Sequence, residues 1–126
     1  THDLPTVAGL WTGADSDECE AIGVPVNEAA VAQVRNRLAR VAGVQPEPAA
    51  IAVGAYRALA ASPSMLVAAA LEDAAGAVER PNIPGTTLAL RPNWSRPLPL
   101  PLEDVLSSPL AREVAAALRR EPGPLS

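Results

Sequence analysis

Hydrophobic positions recur at helical spacing in two neighbouring stretches of the chain. After Asn27, the residues Val31, Val34, Leu38 and Val41 fall three or four positions apart, while Gln33, Arg35, Asn36 and Arg40 lie mostly on the other side. The pattern predicts an amphipathic helix with Asn27 as its N-cap and Gly43 as its stop. A second helix is predicted to open with Pro46 or Pro48 in its first turn, to carry Ile51, Val53, Tyr56 and Leu59, and to end before Ser62-Pro63. Both stripes are rich in alanine, so close packing against a larger body is expected rather than a self-sufficient two-helix core. A last helix is predicted over 102–120, where Leu106 leads to Ser107-Ser108-Pro109 and Leu110, Val114, Ala117 and Leu118 form the apolar stripe.

Residues 64–71 follow another pattern. Ser-Met-Leu-Val-Ala-Ala-Ala-Leu is a short apolar run set between a proline turn and the acidic pair Glu72-Asp73. Its length and punctuation predict a strand buried on both faces, with helix as the competing reading because alanine favours helix. A lone strand would leave its backbone groups unpaired, and no second strand stands out in the sequence. The run therefore reads as one slat of a sheet whose other members lie elsewhere.

The first 26 residues are mixed: an apolar stretch through Trp11, then the acidic cluster Asp15, Asp17, Glu18 and Glu20. Asp15 or Ser16 suits the cap of a short helix that Gly23 and Pro25 close, and the cluster reads as its solvated end. Residues 80–102 form a proline-rich loop. Long structureless loops in compact domains are functional or disordered, and the Asn and Trp side chains here favour a placed loop. Glu121 to Ser126 reads as a tail.

Composition removes several function classes. Fourteen acidic residues face ten basic ones, giving a net charge of −4 and a pI near 4.9, which argues against a phosphate-tracking surface and so against nucleic acid. The basic residues are all Arg, with abundant Ala and neither Lys nor Phe, a bias typical of G+C-rich coding sequence. A single cysteine, Cys19, excludes an intrachain disulfide and a multi-cysteine zinc site. The longest apolar run, Met65 to Leu71, falls far short of the roughly 20 residues that cross a bilayer. No signal-peptide pattern is visible, so a cytoplasmic protein, or a piece of one, is expected. His2-Asp3 cannot form a metal site alone, since adjacent side chains rarely converge and the chain has no other His.

The string Thr1-His2-Asp3-Leu4-Pro5-Thr6, with Gly9 and Trp11 behind it, resembles one region of the amylomaltases, the 4-alpha-glucanotransferases of the alpha-amylase-like clan. Arg80-Pro81-Asn82-Ile83-Pro84-Gly85-Thr86 followed by Pro92-Asn93-Trp94 resembles a later region of the same family, in its order and approximate spacing, and Ser62-Pro63 through Leu71-Glu72-Asp73 fits between them. Many relatives carry an arginine directly after the Asn-Trp pair, where this chain has Ser95 and then Arg96.

The resemblance implies an α/β fold: residues 1–120 would be the C-terminal segment of a (β/α)₈ TIM barrel, comprising the end of strand 7, helix 7, strand 8 and helix 8, mostly helical as given, with 121–126 as tail. It implies retaining transfer of α-1,4-glucan segments between maltodextrins. The nucleophile and the acid/base of the family would lie on strands 4 and 5, outside this chain. Asp3 matches the family's transition-state-stabilising carboxylate, His2 a group that hydrogen-bonds the same sugar, and Asn82 an asparagine facing the glucan, with a loop-fixing hydrogen bond as its alternative role. No metal and no cofactor are implied, and the partners would be the glucan and the remainder of the barrel. Trp11 and Trp94 are expected to pack, Glu72-Asp73 to serve structure, and Cys19 to be inert. A competing reading is a small helical interaction module whose Pro97-Leu98-Pro99-Leu100-Pro101 segment, as polyproline II, binds a partner.

Overall fold

The computed structural model describes residues 3–43 and 47–119. Among the described residues seven helices follow one another: α1 (Val7–Thr12), α2 (Ala14–Ala21), α3 (Glu28–Ala42), α4 (Pro48–Ala60), α5 (Leu71–Ala74), α6 (Leu102–Ser107) and α7 (Pro109–Ala117). The apolar stretch before the acidic cluster is helical, which its hydrophobicity alone had not announced. Thr6 caps it, its Oγ accepting from the Gly9 N–H. At Gly13 the chain turns left-handed, at a φ of 91°, and restarts as α2. Gly13, and not Asp15 or Ser16, is therefore the N-cap of α2. The two side chains fall within the first turns, where an acidic group still suits the helix dipole.

The predicted caps of α3 are present. Asn27 Oδ1 accepts from the Ala30 N–H at 3.0 Å, and Gly43 ends the helix. Pro48 occupies the first turn of α4, while Pro46 lies outside the described residues. The last predicted helix is two: Ser108 ends α6, and its hydroxyl caps α7 by accepting from the Ala111 N–H at 3.1 Å. Pro109, which has no N–H to give, breaks the run and begins the next one.

Helix α4 is the centre of the packing, with α1, α3 and α7 against it. Val53 and Tyr56 of α4 join Val114 of α7 in the core, and Leu110, Ala117 and Leu118 pack around them. This is the stripe the spacing predicts. Each fully buried Val or Leu there stabilises by roughly 1.5–3 kcal/mol. Helix α3 meets α4 closely: a Cβ on Gly54 would stand 2.5 Å from the Ala42 Cβ, so only glycine admits the approach. No residue of α3 is buried, and Val34 and Val41 stay substantially exposed.

Residues 64–70 overturn one expectation. No strand occurs among the described residues, and the run is irregular, with Met65 93% and Leu66 87% exposed. Leu71, its last residue, already starts α5. The cause is physical: strand geometry is held by ladder bonds to a neighbouring strand, and no segment described here supplies one. The end of the run is tied down, where the Ala70 N–H donates to the Tyr56 hydroxyl at 3.0 Å.

Candidate functional site

Asp3 and Asn82 meet at the surface. Asn82 Nδ2 donates to Asp3 Oδ1 at 2.7 Å, and Arg80 Nη1 donates to the Asp3 carbonyl at 2.9 Å. Leu4, Pro5 and Pro81, the chain neighbours of these residues, line a cleft of about 270 Å³ together with Ala68 and Ala70. Three remote stretches thus converge on one spot. Of the sequence-predicted site residues, Asp3 and Asn82 are brought together, and His2 lies outside the described residues.

The loop that carries Asn82 is fixed from beneath by Arg91 and Asn93, both buried. Asn93 Oδ1 accepts from the Ile83 N–H at 3.2 Å and from Arg91 Nη1 at 2.9 Å, while its amide donates to Thr86 Oγ at 2.7 Å. Thr86 Oγ in turn donates to the Ile83 carbonyl at 2.7 Å. The Trp94 N–H donates to the Pro81 carbonyl at 2.9 Å, with Trp94 itself in the left-handed region at a φ of 64°. A bulky residue is rare there. Its side chain is 62% exposed, less packed than the sequence suggested.

The acidic cluster is a solvated helix end only at Asp17 and Glu20, which are exposed; Asp15 and Glu18 turn to the loop. Glu18 grips Arg91 with both carboxylate oxygens, at 3.0 and 3.1 Å, and takes a bond from Arg96 at 2.9 Å. Arg96 also pairs with Glu79. Arg96 thus anchors the loop to Glu18 and Glu79. Asp15 forms an ion pair with Arg80 at 2.9 Å. Burial raises the Asp15 pKa above its ordinary value, and the Arg80 charge works against that rise. Cys19 is buried, with Arg80 Nη2 donating to its Sγ at 3.3 Å. Helix α2 is therefore the base on which the loop rests.

On the other side of the cleft, Asp73 serves structure, as expected. Its Oδ1 accepts from the Val7 N–H at 2.7 Å and its Oδ2 from the Tyr56 hydroxyl at 2.6 Å. Trp11 packs too, with the Arg35 guanidinium 6.0 Å from its ring centroid, joining α1 to α3.

A family model described as 4-alpha-glucanotransferase, glycoside hydrolase family 77, matches residues 1–102. The chain belongs to the 4-alpha-glucanotransferase family. Curated relatives carrying that name from Mycobacterium bovis and Mycobacterium tuberculosis are 36% identical over 138 residues, covering 94% of this chain. The chain spans 19% of the length of those glucanotransferases. No solved structure matches it significantly. The family match runs through Pro97–Pro101, so the segment behind the interaction-module reading is part of the glucanotransferase pattern as well.

Sequence reasoning missed Arg80, Arg91, Glu18 and Asp15 as builders of this site. The available signal was charge complementarity: three arginines in the proline-rich loop and four carboxylates within six residues of α2. Among the described residues no group of three or more His, Cys, Asp or Glu is placed to hold a metal ion, and no helix is long and apolar enough to cross a membrane.

Proposed function

We propose that this chain is the C-terminal part of the catalytic domain of a cytoplasmic 4-alpha-glucanotransferase, which moves α-1,4-linked glucan segments between maltodextrins with retention. The observation that carries the reading is the 2.7 Å bond between Asn82 and Asp3. The family resemblance assigns both residues to the glucan, and the fold joins them.

In a retaining transfer one carboxylate attacks the anomeric carbon while an acid protonates the leaving oxygen. A glucan hydroxyl then opens the glycosyl-enzyme. Those two groups belong to the rest of the polypeptide. Asp3 is the third carboxylate, set where positive charge develops on the sugar ring, and it acts by electrostatic preorganisation. Asn82 orients that carboxylate and faces the glucan, and His2 hydrogen-bonds the same sugar. The chemistry uses carboxylates and sugar hydroxyls and calls for no cofactor.

Residues 1–120 take the place of a barrel segment in this reading, and 121–126 that of a tail. Asp3 ends strand 7 and the exposed run 64–70 is strand 8, whose ladder partners are strands 7 and 1. The lack of a neighbouring strand among the described residues and the exposed Met65 and Leu66 side chains support that placement. So does the convergence of residues 3–5, 68–70 and 80–82, since barrel sites gather at the C-terminal ends of strands.

The test is the complete polypeptide incubated with maltotriose. Glucose together with maltopentaose and longer chains is the expected outcome. Unchanged maltotriose, or shorter sugars alone, would overturn the reading.

A further inference from the structure

Arg91 is 1% exposed, the most deeply buried charged residue among those described. A guanidinium has five N–H groups, and here five bonds leave it. Nε and Nη2 form a fork onto Glu18 at 3.0 and 3.1 Å. Nη2 also donates to the Arg80 carbonyl at 2.5 Å, and Nη1 to the Pro81 carbonyl at 3.2 Å and to Asn93 Oδ1 at 2.9 Å.

Two of these acceptors are the carbonyls that directly precede Asn82. The Pro81 carbonyl and the Asn82 nitrogen share one rigid peptide plane, so the grip on that oxygen fixes the direction from which Asn82 departs. Beyond Asn82, the Ile83 N–H is held by Asn93 Oδ1, which Arg91 also touches. The backbone is therefore clamped on both sides of Asn82, and its side chain projects to Asp3. Buried ion pairs are a weak device for stability alone, because desolvation offsets the attraction. A bidentate fork is a strong device for geometry.

We propose that Arg91 is a positioning residue of the glucan site, acting through Asn82 on Asp3; this rests on the glucanotransferase reading above. Every bond it makes is already complete within the described residues, so the clamp does not depend on the rest of the polypeptide.

The experiment is a double-mutant cycle in the complete polypeptide, with maltotriose as substrate. Arg91→Lys keeps the charge and loses the fork. It is expected to lower kcat by about 10–100-fold, as misplacement at a site does, with KM changed much less. Asn82→Ala is expected to lower kcat comparably, and the double variant to be no slower than the slower single one, because both remove the same orientation. Multiplicative losses, or a wild-type kcat for folded Arg91→Lys, would overturn the proposal. Should Arg91→Lys fail to fold, Glu18→Gln, which keeps an acceptor and weakens the fork, enters the same cycle with the same two outcomes. Wild-type protein that transfers no glucan counts against the proposed function instead. The clamp is then judged by a crystal structure of whichever variant folds: an Asn82–Asp3 distance still at 2.7 Å overturns it, and a lost bond supports it.

Discussion

Asp3 and Asn82 share a hydrogen bond of 2.7 Å although 79 positions separate them in the chain. Both side chains are short, so neither can reach far to find the other. The bond exists because each backbone is held: Asp3 by Arg80 at its carbonyl, and Asn82 by the buried Arg91 beneath its loop. A surface carboxylate with this much support is costly to assemble for solvation alone.

Replacing Asp3 by Asn in the complete polypeptide should reduce glucan transfer by about 10²–10³-fold, the scale of losing one preorganised electrostatic group. The fold should persist, because an amide oxygen can still accept from Asn82. Steady-state transfer and a thermal melt measure the two effects. Near-normal transfer would remove Asp3 from the site.

The 126-residue chain by itself should not disproportionate maltotriose. Asp3 cannot be nucleophile and acid at once, and in the proposed mechanism both of those groups lie outside this chain. Formation of glucose and maltopentaose by the purified chain would contradict the assignment of the missing carboxylates to the rest of the polypeptide.

Burial, and next the bond to Asp73, raise the pKa of the Tyr56 phenol well above its ordinary value of 10.0. The unfolded chain loses that proton near pH 10 and the folded one keeps it. Above pH 10 the unfolded state therefore binds fewer protons, and stability falls as pH rises; below pH 10 the contribution is complete. Tyr56→Phe should cost about 1–3 kcal/mol at neutral pH, since Asp73 Oδ2 and the Ala70 N–H lose a partner. It should also flatten the alkaline decline. Melting temperatures of both proteins from about pH 8 to 11 provide the comparison, and equal slopes would refute it.

Gly9 has no room for a side chain. A Cβ there would stand 2.2 Å from the Val78 carbonyl oxygen, the same oxygen that accepts from Thr6 Oγ at 2.9 Å. Gly9→Ala should destabilise by about 1–3 kcal/mol, the usual cost of overpacking. A denaturation midpoint equal to wild type would show that α1 can shift away from the loop.

Much of the helical scaffold was legible from periodicity and caps. Asn27, Gly43 and Pro48 are local signals with local causes, and the stripe of Leu110, Val114, Ala117 and Leu118 announced the face that meets α4. The run 64–70 was read as a strand because its residues suit one, yet a strand is a property of two segments, and no described segment pairs with it. Asp3 and Asn82 were found through short motifs. Their support was not, because Arg91 and Glu18 lie 73 positions apart and neither belongs to a periodic pattern. Polar networks of this kind follow from tertiary closure, which spacing along the chain does not encode.

The fork between Glu18 and Arg91, shared with Arg96, ties these three positions into one unit of inheritance. A lineage that loses Arg91 alone leaves the Glu18 carboxylate partly buried with half its counter-charge, and one that loses Glu18 alone strands an arginine in the interior. Substitutions at these positions should therefore arrive together across the family, as a pair or a triple, whatever the rest of the loop does.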